Sequence, residues 1–136
     1  MNNIDSSLME LYNDYKSRPF VYGITDCASF VDDWVRRYKG LNIKSEFNSY
    51  TNSKQALAVL LKRGFNNQDE MLDSYFKRIQ KSYLRRGDLT GHYFNTEQKI
   101  MAIGVYTGEV SMFKSGKGIE TVNYRKINNK LCWRVK

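Results

Sequence analysis

The hydrophobic periodicity changes near residue 86, and this change constrains the fold more than any other feature of the sequence. Before it, apolar residues recur every three or four positions, as on one face of an α-helix. After it, five short segments rich in β-branched and aromatic residues alternate with turns that contain Gly, Asn or charged residues. Helices followed by strands predict an α+β protein in which N-terminal helices pack on a C-terminal antiparallel sheet.

The length of 136 residues suits one domain with a substantial core. A single proline and nine glycines leave no obvious linker. We therefore expect one domain over residues 1–136, with a helical part over about 5–80 and a sheet part over about 87–135.

The predicted helices span about residues 7–15, 26–39, 53–63 and 68–79. Ser7 and Glu10 fit a capping box at the start of the first helix. Gly40 and Gly64 provide the stops of the second and third. The predicted strand segments are residues 87–94, 99–108, 109–115, 118–124 and 130–136, and residues 107–110 and 114–118 predict hairpin turns.

Cys27 lies in the first turn of the second predicted helix, directly after Asp26. Unsatisfied amides and the helix dipole stabilise a thiolate at this position and can lower its pKa. A cysteine nucleophile also needs a base, normally a histidine that is close in space. The alternative is a small buried cysteine that packs helix against sheet, and the local sequence leaves both open.

Three segments together resemble a known family. These are PFVYGITDCASFVDDWV (residues 19–35), RRGDLT (85–90) and AIGVYTG (102–108). They resemble the NlpC-type cell-wall peptidases of the papain-like cysteine hydrolase superfamily. The similarity is greater still to a phage-encoded branch of short tail-module proteins that end in a Trp-Arg-Val-like strand, here LCWRV (131–135). The resemblance spans about residues 18–135 and implies a papain-like fold.

The resemblance also implies roles for individual residues. Cys27 takes the nucleophile position, Asp26 precedes it, and Tyr22 would line the substrate groove. The histidine position falls on Ala102, which cannot accept a proton. His92, the single histidine of the sequence, lies in the segment expected to neighbour Ala102 and is the candidate base. The alternatives are a half-exposed strand position for His92 and a core aromatic for Tyr22.

No cofactor or metal is expected. Two cysteines and one histidine without CxxC or HxxxH spacing do not form a zinc site. We expect Cys132 to be buried in the sheet, with a disulfide to Cys27 as the alternative. Asp32 and Asp33 are expected on a solvated helix face. No secretory signal or membrane-spanning segment is predicted.

The formal net charge of +8 is compatible with an anionic partner, but the basic residues are scattered along the chain, which favours a solvated basic surface.

Because Ala102 stands at the expected histidine position, the resemblance favours a catalytically impaired phage tail or virion protein. It would act in tail or particle assembly or in binding the host wall, located in the virion or the host cytoplasm. The expected partners are other phage tail or particle proteins, or peptidoglycan. The first alternative is an active cell-wall cysteine endopeptidase or amidase that uses Cys27. A nucleic-acid partner is not expected, because the net charge is the only feature that would support one.

Overall fold

The structure is a computed structural model that describes residues 3–21, 26–41, 53–92, 102–116, 118–124 and 131–135. Within these ranges, none of the helices combines the length and the apolar character that a membrane crossing requires. Tyr22, a predicted groove residue, lies outside the described residues.

Four helices occupy the N-terminal part of the described chain: α1 (Ile4–Tyr15), α2 (Cys27–Lys39), α3 (Ser53–Lys62) and α4 (Gln68–Tyr75). The predicted second and third helices are confirmed. The capping box at the first helix is wrong, because α1 begins a turn earlier. Asn3 caps it by accepting a hydrogen bond from the Asp5 N–H at 2.8 Å, and Ser7 is buried within the helix.

In the described ranges, six strands form one antiparallel sheet: β1 (Lys77–Ile79), β2 (Leu89–His92), β3 (Ala102–Tyr106), β4 (Ser111–Lys114), β5 (Ile119–Val122) and β6 (Leu131–Arg134). Their order across the sheet is β1-β6-β2-β3-β4-β5. The α+β class is confirmed, and each of the five predicted strand segments contains a strand in its described part. Hydrogen bonds at the described ends of both predicted hairpin turns agree with the prediction. Thr107 N–H bonds the Val110 carbonyl in one turn, and Ser115 N–H bonds the Gly118 carbonyl in the other.

The predicted fourth helix is wrong at its C-terminal end. The chain turns extended at Phe76, and residues 77–79 become β1, which pairs with β6. Arg78 explains part of this change. Its guanidinium bonds Asp73 of α4 at 2.8–2.9 Å and lies over the Trp133 ring of β6, with 5.5 Å to the centroid. A three-residue strand is too short for an alternating pattern to reveal it.

The two faces of the sheet carry different clusters, because successive side chains of a strand point to opposite sides. One face packs against the helices and includes the sheet residues Leu89, Ile103, Val105, Met112 and Trp133. The helices contribute apolar residues such as Leu11, Phe30, Trp34, Val35 and Leu72 to that core. The other face carries a second cluster of Leu84, Tyr106, Phe113, Tyr124 and Cys132. The N-terminus of α2 therefore approaches the sheet from the Ile103 side.

Candidate functional site

Asp26 fixes the start of α2 and so the place of Cys27. Its backbone is extended, and its Oδ1 accepts a hydrogen bond from the Ser29 N–H at 2.8 Å, the geometry of a helix N-cap. Asp26 is 4% exposed. Its carboxylate is engaged in capping α2, and Cys27 follows as the first helical residue, as the sequence predicted.

The Cys27 sulfur lies beside the ends of β3 and β4. The thiol donates to the Lys114 carbonyl, with 3.8 Å between Sγ and O, and the backbone N–H of Ile103 hydrogen-bonds the sulfur. At this end of the β3–β4 pairing, the last paired residues are Gly104 and Phe113. Ile103 and Lys114 are therefore the next two positions of the two strands. The sulfur therefore lies next to the end of the β3–β4 ladder, within hydrogen-bonding distance of its Lys114 carbonyl.

This environment raises the pKa of Cys27 to about 11, with desolvation by burial as the largest cause. The negative charge of Asp26 raises it further. The Ile103 N–H and the Lys114 charge lower it, but not enough to reverse the direction. A helix N-terminus stabilises an anion by about 0.3–1 kcal/mol at an exposed site. A rise of about two pKa units corresponds to about 2–3 kcal/mol in favour of the thiol, so burial outweighs the helix dipole.

Lys114 is the residue of this site that the sequence did not indicate. It is 4% exposed, and its ammonium donates to three backbone carbonyls: those of Arg18, Ser115 at 3.0 Å and Gly118 at 3.0 Å. Burial lowers the pKa of Lys114, while the neighbouring Cys27 raises it. The three carbonyls match the three N–H donors of an ammonium group, which satisfies the buried charge by hydrogen bonding.

His92 lies on the far side of β3 from this point. The register pairs it directly with Ala102, so the residue at the expected histidine position and the single histidine of the chain are cross-strand neighbours. Ala102 packs against the second cluster, and His92 shares that face of the sheet. The sulfur contacts β3 and β4, whereas His92 is on β2. In the described part of the chain, Cys27 interacts with Asp26, Ile103 and Lys114.

The Gly87-Asp88 motif forms a joint between helices and sheet. The Gly87 carbonyl accepts from Trp34 Nε1 at 2.9 Å, and Gly87 has a φ of 92°. A Cβ there would lie 2.9 Å from Ile4 Cδ1. Asp88 is buried and accepts from both Nε and a terminal nitrogen of Arg134, at 3.2 and 3.0 Å. The motif therefore ties β2 to the Trp-Arg-Val strand at the opposite end of β2 from His92.

The structure also tests the predictions made for Cys132 and for the aspartates Asp32 and Asp33. Cys132 is 1% exposed, as predicted, and both Cys27 and Cys132 carry thiols, so the disulfide alternative is wrong. The solvated face predicted for Asp32 and Asp33 is also wrong. Asp32 is buried, and Asp33 accepts from Arg37 Nε at 2.7 Å. Since α1 packs along this side of α2, Tyr15 also donates to Asp33, at 2.8 Å. Within the described ranges, no group of three or more His, Cys, Asp or Glu side chains could hold a metal ion.

The fold and the site define an α+β protein with a partly buried thiol at the start of α2 and a buried lysine beside it. The family model for a domain of unknown function, DUF6950, matches residues 1–135. The protein belongs to this family. No curated protein matches the chain.

Proposed function

We propose that this protein is a divergent NlpC-type, papain-like domain that has kept the fold and lost the catalytic pair. It acts as a binding module of a phage tail or particle. One observation carries the proposal: the Cys27 thiol is held between the Ile103 N–H and the Lys114 carbonyl, where burial raises its pKa to about 11. A nucleophile of this superfamily must ionise near neutral pH, and a histidine must protonate the leaving group.

The arrangement of elements supports the papain-like part of the proposal. The resemblance implies a cysteine at the start of a helix packed on an antiparallel sheet, a Gly-Asp strand, and a following strand that carries the histidine. Here α2 begins with Cys27, β2 follows Gly87-Asp88, and β3 begins with Ala102 next to β2. An alanine cannot act as a base, and His92 lies across β3 from the sulfur. Retention of a fold does not require retention of its chemistry.

The surface charge supports binding to an anionic target. The chain carries a formal net charge of +8, and the anionic polymers of a bacterial wall would attract it over long range. Several arginines are already paired within the protein, including Arg37 with Asp33 and Arg134 with Asp88. The attraction would therefore rest on the excess of lysines, and it would weaken as salt screens it.

Digestion and binding of purified peptidoglycan test the proposal together. Wild-type protein and Cys27→Ser are incubated with dye-labelled peptidoglycan, and released dye and co-sedimented protein are both measured. We expect no dye release from either protein, and equal, salt-sensitive co-sedimentation of both. Dye release by the wild type that Cys27→Ser abolishes would establish the active peptidase instead. Absence of both release and co-sedimentation would remove the wall target and leave tail or particle proteins as the partners.

A further inference from the structure

We propose that Lys114 is a latch: it holds the connector between α1 and α2 against the β4–β5 turn, and its release exposes the Cys27 thiol. The connector is defined here as residues 16–21. This proposal goes beyond the binding function and does not depend on whether the protein turns over a substrate.

The Lys114 ammonium joins two parts of the chain that are distant in sequence. One of its acceptors, the Arg18 carbonyl, belongs to the connector, and the other two, Ser115 and Gly118, belong to the β4–β5 turn. The Phe20 N–H adds a further bond by donating to the Gly116 carbonyl at 3.1 Å. The connector is therefore held to the turn through both a charged and a neutral hydrogen bond.

Gly118 shows how closely the connector and the turn approach each other. A Cβ at Gly118 would collide with the Lys16 carbonyl oxygen. Side chains larger than hydrogen are excluded from this contact, so the two backbones touch directly. The connector and the turn thus form a tight seam, and the ammonium of Lys114 lies within it.

The same residue links the seam to the thiol. The Lys114 carbonyl accepts a hydrogen bond from the Cys27 thiol, while its ammonium bonds one carbonyl of the connector and two of the turn. Displacement of the seam moves the end of β4, and the sulfur then loses its acceptor and its cover. A thiol released in this way regains the ordinary reactivity of an exposed cysteine. Cys27 is thus a conditional thiol, partly covered while the seam is closed.

Selective labelling tests the latch within one molecule, since the two cysteines report different events. Cys27 reports local opening at the seam, and Cys132, buried in the second cluster, reports unfolding of the sheet. Native protein is treated with iodoacetamide at about pH 8, and each cysteine is quantified by peptide mass spectrometry. The variants are Lys114→Met, which removes the ammonium, and Lys77→Met, which removes an exposed lysine of β1 as the charge-matched control.

We expect Lys114→Met to speed Cys27 labelling at least about tenfold, the effect of losing one charge-assisted hydrogen bond. Cys132 labelling and the Lys77→Met variant should remain at the wild-type rate. A purely electrostatic role of Lys114 predicts the opposite sign, because loss of its charge raises the pKa of Cys27 and slows labelling. Slower or unchanged Cys27 labelling therefore overturns the latch.

A second variant covers the case in which Lys114→Met destabilises the whole domain. Gly118→Ala forces the seam apart from the other side and leaves the ammonium in place. The latch predicts faster labelling of Cys27 than of Cys132 in this variant too. Equal acceleration of both cysteines in both variants would mean that the seam opens only on global unfolding, and the proposal would be wrong.

Discussion

Raising the pH destabilises the folded protein through Cys27, and the size of the effect follows from its pKa. Burial holds this pKa near 11, whereas the unfolded chain has an ordinary thiol value near 9. Between these values the folded state keeps a proton that the unfolded state has lost. The stabilising contribution is therefore fully present below pH 9 and is lost as the pH rises through 11.

The magnitude is about 2–3 kcal/mol in total, because one pKa unit is worth about 1.4 kcal/mol. About half of it, roughly 1.4 kcal/mol, is lost by pH 10. Tyr15 and Tyr124 complicate a single curve, because burial raises the pKa of both tyrosines. Cys27→Ser removes the thiol and keeps both tyrosines, so the difference between wild type and this variant isolates the cysteine.

Urea unfolding of both proteins at pH 8, 9, 10 and 10.5, with a reductant present, gives this difference. We expect the free energy of unfolding of the wild type to fall toward that of Cys27→Ser from pH 9 upward. Below pH 9 the difference should be constant. A difference that grows with pH would show that folding lowers the pKa of Cys27, and the inference that desolvation keeps this thiol protonated would be refuted. A flat difference up to pH 10.5 would refute it as well.

Two further substitutions test the joint between helices and sheet by urea denaturation. Asp88→Asn breaks the ion pair with Arg134 and should lower the free energy of unfolding by about 2–3 kcal/mol. This is less than the usual cost for a fully buried pair, because Arg134 is 27% exposed. A loss under about 0.5 kcal/mol would mean that the pair does not stabilise the fold. Gly87→Ala should cost clearly more than Gly64→Ala. Both glycines have a φ near 90°, but a new Cβ meets Ile4 only at residue 87; equal costs would show that packing at Gly87 is irrelevant.

Short-range sequence signals were enough to predict where helix α2 begins and ends. Asp26 caps α2, Cys27 opens it, and Gly40 ends it in the left-handed conformation, all from interactions within a few residues. The same holds for the strand segments that follow residue 86. These features depend on short-range hydrogen bonds and side-chain alternation, which the sequence displays directly.

The parts that could not be predicted depend on contacts between distant segments. The ammonium of Lys114 donates a hydrogen bond to the carbonyl of Arg18, which is 96 positions away in the sequence. Asp33 is engaged because Tyr15 of α1 packs beside it. A lysine in a Lys-Ser-Gly turn and an aspartate on a charged helix face have the same local sequence whether they are exposed or buried. Only the packing of α1, the connector and the sheet decides between the two.

The pH dependence of Cys27 alkylation tests most directly whether this cysteine is a protonated structural thiol or an activated thiolate. The native protein is labelled with iodoacetamide from pH 6 to 10.5, Cys27 is quantified by mass spectrometry, and the urea-unfolded chain is the reference. With a pKa of about 11, the rate should rise about tenfold per pH unit up to pH 10, and at pH 8 the thiolate should be about a hundredfold scarcer than in the unfolded chain. A rate that already reaches its plateau below pH 8 would reveal an activated thiolate and contradict the account.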